Sequence, residues 1–403
     1  MAARTNVLIG LGGGIAAYKV CEVISQLVQA GAQVRCLYTA AAEQFIAPLT
    51  LATLSRHPAY GDALLWSASQ GRPLHIELGE WAQVFLLAPL TANTLAKLAL
   101  GLADNLLTNT VLASRCPVLL APAMNTDMWE QQTVQRNWQG VQQDPRYHAI
   151  VPGSGLLACD RVGPGRLAEP RELVAAVQSL LHTGGDRDLA GQRVLITAGS
   201  TREHLDPVRF LSNPATGKMG LALARAACHR GAQVSLIHGP LALELPPHPQ
   251  VQTLAVTSAA EMRAAVLAQS DLADWLLLAA AVADQRPVSQ ADHKLPKQAL
   301  PKALPLEPTP DIALELGQRR RPSQRFIGFA AQTGAVRAPA WDKLQRKGFD
   351  VIAANAVDQP GAGFGSETNQ MLLLAADGRE QALPLGTKLA IAHQIFDFAQ
   401  GRS

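Results

Sequence analysis

The sequence predicts an α/β protein built as two tandem Rossmann-like parallel-sheet domains. Two observations carry that reading. A glycine-rich strand-to-helix turn occurs twice: first as Asn6-Val7-Leu8-Ile9-Gly10-Leu11-Gly12-Gly13-Gly14-Ile15-Ala16-Ala17-Tyr18-Lys19, then as Arg193-Val194-Leu195-Ile196-Thr197-Ala198-Gly199-Ser200-Thr201, continued by Asn213-Pro214-Ala215-Thr216-Gly217-Lys218-Met219-Gly220. Each begins with the short apolar run of a buried parallel strand. Each then has small residues where a backbone must approach a phosphate, and each enters a helical pattern. The second observation is length, since 403 residues hold two or three domains at ~100–200 residues each.

Composition narrows the class. The chain is 48% hydrophobic and 17% charged, enough to build sizeable cores and unlike a disordered chain. A net charge of +3 gives no argument for a nucleic-acid partner, and Arg319-Arg320-Arg321 reads as a solvated helix end or loop. The longest apolar runs, 84–90 and 276–282, are too short to span a bilayer. The N-terminus enters a strand with no signal peptide. Cys21, Cys36, Cys116, Cys159 and Cys228 lack metal-ligand spacing, which fits a reducing, cytoplasmic setting without structural disulfides.

In order along the chain, residues 6–10 read as a strand, 14–30 as a helix ending at Gly31, and 33–38 as a second strand. Residues 81–88 lead to a third strand and 118–121 form a fourth. Their carboxyl ends are the loops at Thr39, at Pro89-Leu90-Thr91-Ala92-Asn93 and at Pro122-Ala123-Met124-Asn125. Ligands bind at such ends in an open α/β sheet, so these loops should converge. A helix over 171–181 closes the first domain (1–182). A Gly and polar linker (183–190) follows, and the alternation restarts for a second domain (191–403). There a helix over 219–230 leads to strands at 233–237, 275–280, 326–329, 351–354 and 371–375. Gly31-Ala32-Gln33-Val34 recurs as Gly231-Ala232-Gln233-Val234, a shared passage from helix C-cap into strand. The Pro-rich stretch 286–310 reads as a long loop or arm.

Three elements of the first half carry candidate chemistry. His75-Ile76-Glu77-Leu78 precedes the helix bearing Trp81; His75 is either a packed histidine or a proton carrier at neutral pH. Asn125 either caps the helix after it or holds a carboxylate. The run from Gly153 to Arg166 is glycine-dense and reads as a flap with Cys159 in its middle, whereas a free cysteine is ordinarily a small buried hydrophobe.

Together these resemble the flavin-dependent cysteine decarboxylases: Gly-Gly-Ile-Ala-Ala-Tyr-Lys, His-Ile-Glu-Leu-Gly, Pro-Ala-Met-Asn, and a Cys flap ending Gly-Pro-Gly-Arg. The second half adds Asp206-Pro207-Val208-Arg209-Phe210-Leu211-Ser212-Asn213, Gly217-Lys218-Met219-Gly220 and Ala279-Ala280-Ala281-Val282-Ala283-Asp284. Over nearly its full length the chain resembles the bifunctional phosphopantothenoylcysteine decarboxylase/phosphopantothenate–cysteine ligase family of coenzyme A biosynthesis.

The resemblance implies a flavodoxin-like decarboxylase domain holding FMN around Gly13, Gly14, Thr39, Thr91 and Asn93. It makes His75 the proton handler, Asn125 the holder of the substrate carboxylate, and Cys159 the donor that protonates the enethiolate left by decarboxylation. Hydride leaves and returns, so no net redox occurs. The second domain would join 4'-phosphopantothenate to L-cysteine using CTP and Mg2+ through an acyl-cytidylate. Gly199, Ser200 and Gly217 would line the triphosphate site and Asn213 would hold the intermediate. Ala279, Ala280, Ala281, Asp284, Pro310, Asp311, Ile312, Ala313, Phe329, Lys343 and Lys347 would meet CTP, and Lys294 would begin a mobile lysine loop. Lys343 and Lys347 also suit an ordinary solvated helix face, and Asp284 a helix cap. The metal ligands are left open. The family implies a homo-oligomer, trimeric through the flavin domain and dimeric through the ligase, with no nucleic-acid or membrane partner.

Departures from the family pattern are Gly12 where Ser is usual, Pro296 in place of a lysine in Lys294-Leu295-Pro296-Lys297, Gln332 for Glu, Ala356 for Asp, and Asp160 for Gly after Cys159. Two other readings are weaker. An NAD oxidoreductase lacks its full Gly-x-Gly-x-x-Gly and the acidic residue closing the next strand. A non-catalytic flavoprotein subunit would be expected to have lost the His or the Cys.

Overall fold

The computed structural model describes residues 5–67, 71–156, 161–241, 248–300, 302–359, 361, 363 and 365–402. The chain divides into two compact units, Met1–Asp186 and Arg187–Ser403.

The first unit is a parallel sheet of β1 (Asn6–Leu11), β2 (Gln33–Tyr38), β3 (Ala59–Tyr60), β4 (Val84–Leu90), β5 (Val118–Pro122) and β6 (Tyr147–Ala149), in the order β3-β2-β1-β4-β5-β6. Successive side chains on a strand face opposite sides. Val7, Ile9 and Leu11 therefore join one apolar core with the helices Ala17–Gln29 and Pro170–Thr183. Leu8, Phe85 and Leu87 join another with Leu74–Trp81 and Leu106–Ala113. Because both faces are covered, the strands read as continuous apolar runs. Strand order reverses between β1 and β4, so the ligand crevice belongs at their carboxyl ends.

One reading needs correction. His75 does not precede the helix bearing Trp81; both lie within Leu74–Trp81, and the strand begins only at Val84. The helix stops because the Asn6 side chain donates to the Trp81 carbonyl at 3.0 Å while the Asn6 N–H takes the Gln83 side chain at 2.8 Å. The glycine-dense flap is an antiparallel hairpin, β7 (Gly153–Leu156) against β8 (Val162–Arg166). Cys159 and Asp160 lie outside the described residues.

The second unit has an eight-stranded sheet. Six strands run parallel in the order β13 (Val251–Ala255), β12 (Gln233–His238), β9 (Arg193–Ala198), β14 (Trp275–Leu278), β17 (Arg325–Gln332), β18 (Val351–Ala356). Two antiparallel strands, β19 (Thr368–Ala375) and β20 (Glu380–Thr387), extend its edge. A small ribbon of β10 (Arg202–His204) and β11 (Phe210–Ser212) follows the glycine turn. The Pro-rich arm is not wholly loop: β15 (Gln285–Pro287) pairs antiparallel with β16 (Leu306–Pro308) at its base. Pro287 and Pro308 are tolerated because a two-stranded ribbon consists only of edges. The arginine run is likewise more than a solvated end. Arg320 forms a forked pair with Asp350 at 2.6 and 2.8 Å, and Arg321 donates to the Ala273 carbonyl at 3.0 Å.

Candidate active sites

In the first unit, backbone hydrogen bonds tie the loops at the strand ends in series. The Thr39 N–H donates to Leu11 O (3.1 Å), Gly12 N–H to Pro89 O (3.1 Å), Ala123 N–H to Leu90 O (3.1 Å), and Met124 N–H to Gly165 O (2.9 Å). The last bond sets the return strand of the flap on the Asn125 loop. Thr39, Thr91 and Asn125 each cap the helix they open, accepting from Ala42 N–H at 3.3 Å, Thr94 N–H at 3.2 Å and Asp127 N–H at 2.7 Å. Capping is the plainer of the two readings of Asn125, and the side chain does it.

Gly12 and Gly13 are forced by close approach. A Cβ at Gly12 would meet Pro89 O at 2.6 Å, and one at Gly13 would collide with Ala41. The serine usual at position 12 therefore does not suit this backbone. Space opens at Gly14, where nothing lies within 4 Å of a Cβ. The helix Ala17–Gln29 that follows has no side-chain cap; its first N–H groups turn back onto the Gly14, Ile15 and Ala16 carbonyls, and the positive end of its dipole faces the glycine turn. A glycine cradle, an uncapped helix start and the ends of β2 and β4 together fit a phosphorylated, planar group such as a flavin nucleotide.

His75 is not part of these ties. Its Nδ1 is buried with no hydrogen-bond partner, unusual for a polar atom without a functional role. Its helix is braced by Arg35, which bonds Glu77 at 3.1 Å and stacks 4.5 Å from the Trp81 ring centre. Burial favours the neutral thiol at all four described cysteines. Burial raises the Cys21 thiol and pushes Cys36 and Cys228 up to about 12 and Cys116 to about 11, far from a reactive thiolate.

The second unit contains a cavity of about 750 Å³ at the carboxyl ends of β9, β14 and β17. It brings together Gly199, Asn213, Gly217, Ala279, Ala280, Ala281, Asp284, Pro310, Asp311, Ile312, Ala313, Phe329, Lys343 and Lys347. Ser200 is buried beside it, with its Oγ accepting from Ser212 Oγ at 3.2 Å. Lys294 does not line the cavity; it is exposed on the arm.

The wall is cross-linked by its own backbone. The Ala281 N–H donates to Gly199 O (2.8 Å), and both Asn213 Nδ2 donors reach the Ala281 and Val282 carbonyls (3.3 Å each). Asn213 Oδ1 is thereby left as the acceptor. Gly217 opens the helix Lys218–His229 at φ +82, a conformation that costs a side-chain-bearing residue.

Lys343 and Lys347 are not a solvated face. Lys343 donates to Phe329 O at 2.8 Å, and buried Lys347 pairs with Asp311. Burial holds both amines below the usual lysine range, with the Asp284 charge opposing it. Asp284 caps no helix. Its carbonyl accepts the Thr309 N–H at 3.0 Å, and the residue stands exposed on the cavity wall. Sequence reading gave no role to Lys218, Asn355, Asn369 or Lys388, which also line the cavity. Lys218 lay inside a quoted motif. Lys388 is a lysine at the start of a helix, where a cation opposes the dipole.

Two α/β units, one with a flavin-type cradle and one with a lysine-lined nucleotide-type cavity, define a two-domain biosynthetic enzyme. The Flavoprotein family matches residues 1–182, and the DNA/pantothenate metabolism flavoprotein C-terminal domain matches residues 189–401. The chain is 44% identical over 390 residues to the coenzyme A biosynthesis bifunctional protein CoaBC of Bacillus subtilis, covering 97% of this chain and 95% of that one. It is 41% identical over 395 residues to the protein of the same name from Vibrio cholerae, covering 98% and 97%. It is also 43% identical over 353 residues to a cysteine/cysteine sulfinic acid decarboxylase from an unknown prokaryote, covering 87% and 97%. The chain belongs to the CoaBC family. It is a flavoprotein and a bifunctional enzyme of coenzyme A biosynthesis, with decarboxylase and ligase domains. Among the described residues no helix is long and apolar enough to cross a membrane.

Proposed function

We propose that residues 191–403 join 4'-phosphopantothenate to L-cysteine at the expense of CTP, and that residues 1–182 decarboxylate the product to 4'-phosphopantetheine with FMN, in the cytoplasm. The observation that carries the first half is the convergence of Gly199, Asn213, Asp284, Lys343 and Lys347 on one cavity. A carboxylate is a poor acyl donor until its oxygen becomes part of a good leaving group. The carboxylate oxygen attacks the α-phosphorus of CTP, pyrophosphate leaves, and the acyl-cytidylate so formed carries CMP as its leaving group. Lys343 and Lys347 neutralise phosphate charge in a site where burial strengthens the interaction. Asn213 holds the acyl-cytidylate while the cysteine amine attacks. Lys294 brings a positive charge over the intermediate from the arm. Asp284, a carboxylate exposed on the cavity wall, would help hold Mg2+, which would supply charge neutralisation for the triphosphate.

In the first domain, Gly13, Gly14, Thr39, Thr91 and Asn93 hold FMN. Bound there, it supplies a reversible hydride acceptor. Asn125 orients the substrate carboxylate for loss as carbon dioxide. His75 moves a proton with the ring whose buried Nδ1 lacks a partner. Cys159 returns a proton to the enethiolate. Assembly as a homo-oligomer, through trimers of the flavin domain and dimers of the ligase, belongs to the same reading.

The test is omission. With phosphopantothenate, cysteine, CTP and Mg2+, the flavin-stripped chain should stop at phosphopantothenoylcysteine, and adding FMN should carry it to phosphopantetheine. No CTP consumption by folded protein would refute the ligase half. Normal decarboxylation without flavin would refute the other.

A further inference from the structure

Two lysines on the cavity wall stand where a helix dipole disfavours a cation. Lys218 is the first residue of the helix Lys218–His229, and Lys388 the first of Lys388–Gln400. The positive end of a helix dipole disfavours a cation there. The two helices pack on each other, and both lysines line the cavity. Lys388 is 8% exposed, and the Lys218 side chain 18%. Their amines are held mainly by neutral carbonyls. Lys388 Nζ donates to Ser366 O (2.7 Å) and Thr368 O (3.0 Å), Lys218 Nζ to Gly365 O (2.6 Å). The carboxylate that meets them is Glu367, paired to Lys218 on a side chain 79% exposed. Burial and the Lys218 charge hold the Lys388 amine below the usual range, with Glu367 opposing. Two helix starts and two amines thus direct positive potential at one wall, and each ammonium keeps a donor to spare.

We propose that Lys218 and Lys388 form a phosphate-binding subsite of this cavity, serving a terminal phosphate of one of the ligase substrates. The proposal rests on the ligase reading only for which substrate brings the phosphate. That is either the β,γ end of the triphosphate or the phosphate monoester of the acid. A multiply charged anion here relieves the lysine–lysine repulsion and pairs with both dipoles.

The probe is inorganic pyrophosphate, titrated calorimetrically into the full chain. It should bind the wild type and raise its melting temperature. Lys218→Gln and Lys388→Gln should each weaken binding about ten-fold or more, and Lys218→Arg should keep most of it. Steady-state arms then name the source. A raised KM for CTP assigns the triphosphate, and a raised KM for phosphopantothenate assigns the acid. Equal pyrophosphate affinity in wild type and folded Gln variants overturns the subsite, as does no binding by the wild type. Should the Gln variants not fold, affinity in the wild type that ignores salt overturns it equally. A chain that binds pyrophosphate through these lysines yet never consumes CTP refutes the ligase reading and leaves the subsite standing.

Discussion

Asp206 accepts the N–H of Leu295 at 3.2 Å, across 89 residues of chain. Arg209, ion-paired to the same carboxylate, donates to the Leu295 carbonyl at 2.6 Å. Both backbone groups of the residue after Lys294 are thus held, so the arm is anchored between its first and second lysines.

Asp206 is fully buried. Burial alone would raise its pKa, but the Val208 N–H, the Arg209 guanidinium and N–H, and the Leu295 N–H hold it well below the usual carboxylate range. The folded pKa lies below the unfolded one. Its contribution to stability is therefore complete above about pH 4 and is lost as pH falls through the folded value. Asp206→Asn should lack that acid-side loss, and the Leu295 amide should exchange faster. Denaturant melts across pH 2–6 with hydrogen exchange measure both. An unchanged acid limb in the variant would contradict this.

Arg230 is 1% exposed and forks onto Asp188 at 2.8 and 2.5 Å, with Asp397 at 2.7 Å and the His393 carbonyl at 3.1 Å. Arg230→Met would leave the nearly buried Asp188 with only the half-exposed Arg402 guanidinium, at 2.9 Å. The expected cost is about 3–5 kcal/mol. Arg230→Lys should recover only part, since an ammonium cannot reproduce the planar fork. Urea denaturation of both variants is the measurement.

Asn213→Asp would set a carboxylate against the Ala281 and Val282 carbonyls that now take its amide N–H groups. It would also set it against the anionic intermediate. Amide formation should fall about 10²–10³-fold, with CTP consumption measured separately to locate the lost step. A loss below ten-fold would remove Asn213 from its assigned role.

His75→Asn should slow carbon dioxide release about 10²–10⁴-fold and leave ligation near wild type, because His75 belongs to the other compact unit. Parallel assays on one preparation check this. If ligation falls in step with decarboxylation, the variant is damaged globally and the assignment loses its support.

The sheet strands were legible because both faces of each sheet are covered, making Val7–Leu11 and Val84–Leu90 unbroken apolar runs. The echo of Gly31-Ala32-Gln33-Val34 in Gly231-Ala232-Gln233-Val234 was legible for another reason. Both glycines take φ +91, and the following alanine N–H bonds back to Leu27 O or Ala227 O at 3.0 Å, one C-cap used twice. Elements without periodicity were not legible: β3 is two residues long, and β15 and β16 lie in a Pro-rich stretch. Lys218 and Lys388 stayed hidden as a pair because they are 170 positions apart in sequence and meet only through the packing of two helices. Lys343 and Lys347 show the same limit. One-turn spacing is identical for a solvated face and a cavity wall, and only the Phe329 carbonyl on β17 and the Asp311 carboxylate decide which it is.

The central claim is that one chain performs ligation and then decarboxylation. It is tested most directly by supplying the full-length protein with phosphopantothenate, CTP, Mg2+, FMN and cysteine labelled with ¹³C at its carboxyl carbon, and following products by mass spectrometry. The account predicts labelled phosphopantothenoylcysteine, then unlabelled phosphopantetheine with the label released as carbon dioxide. Labelled carbon dioxide released from free cysteine, with no phosphopantothenoylcysteine formed, would contradict it.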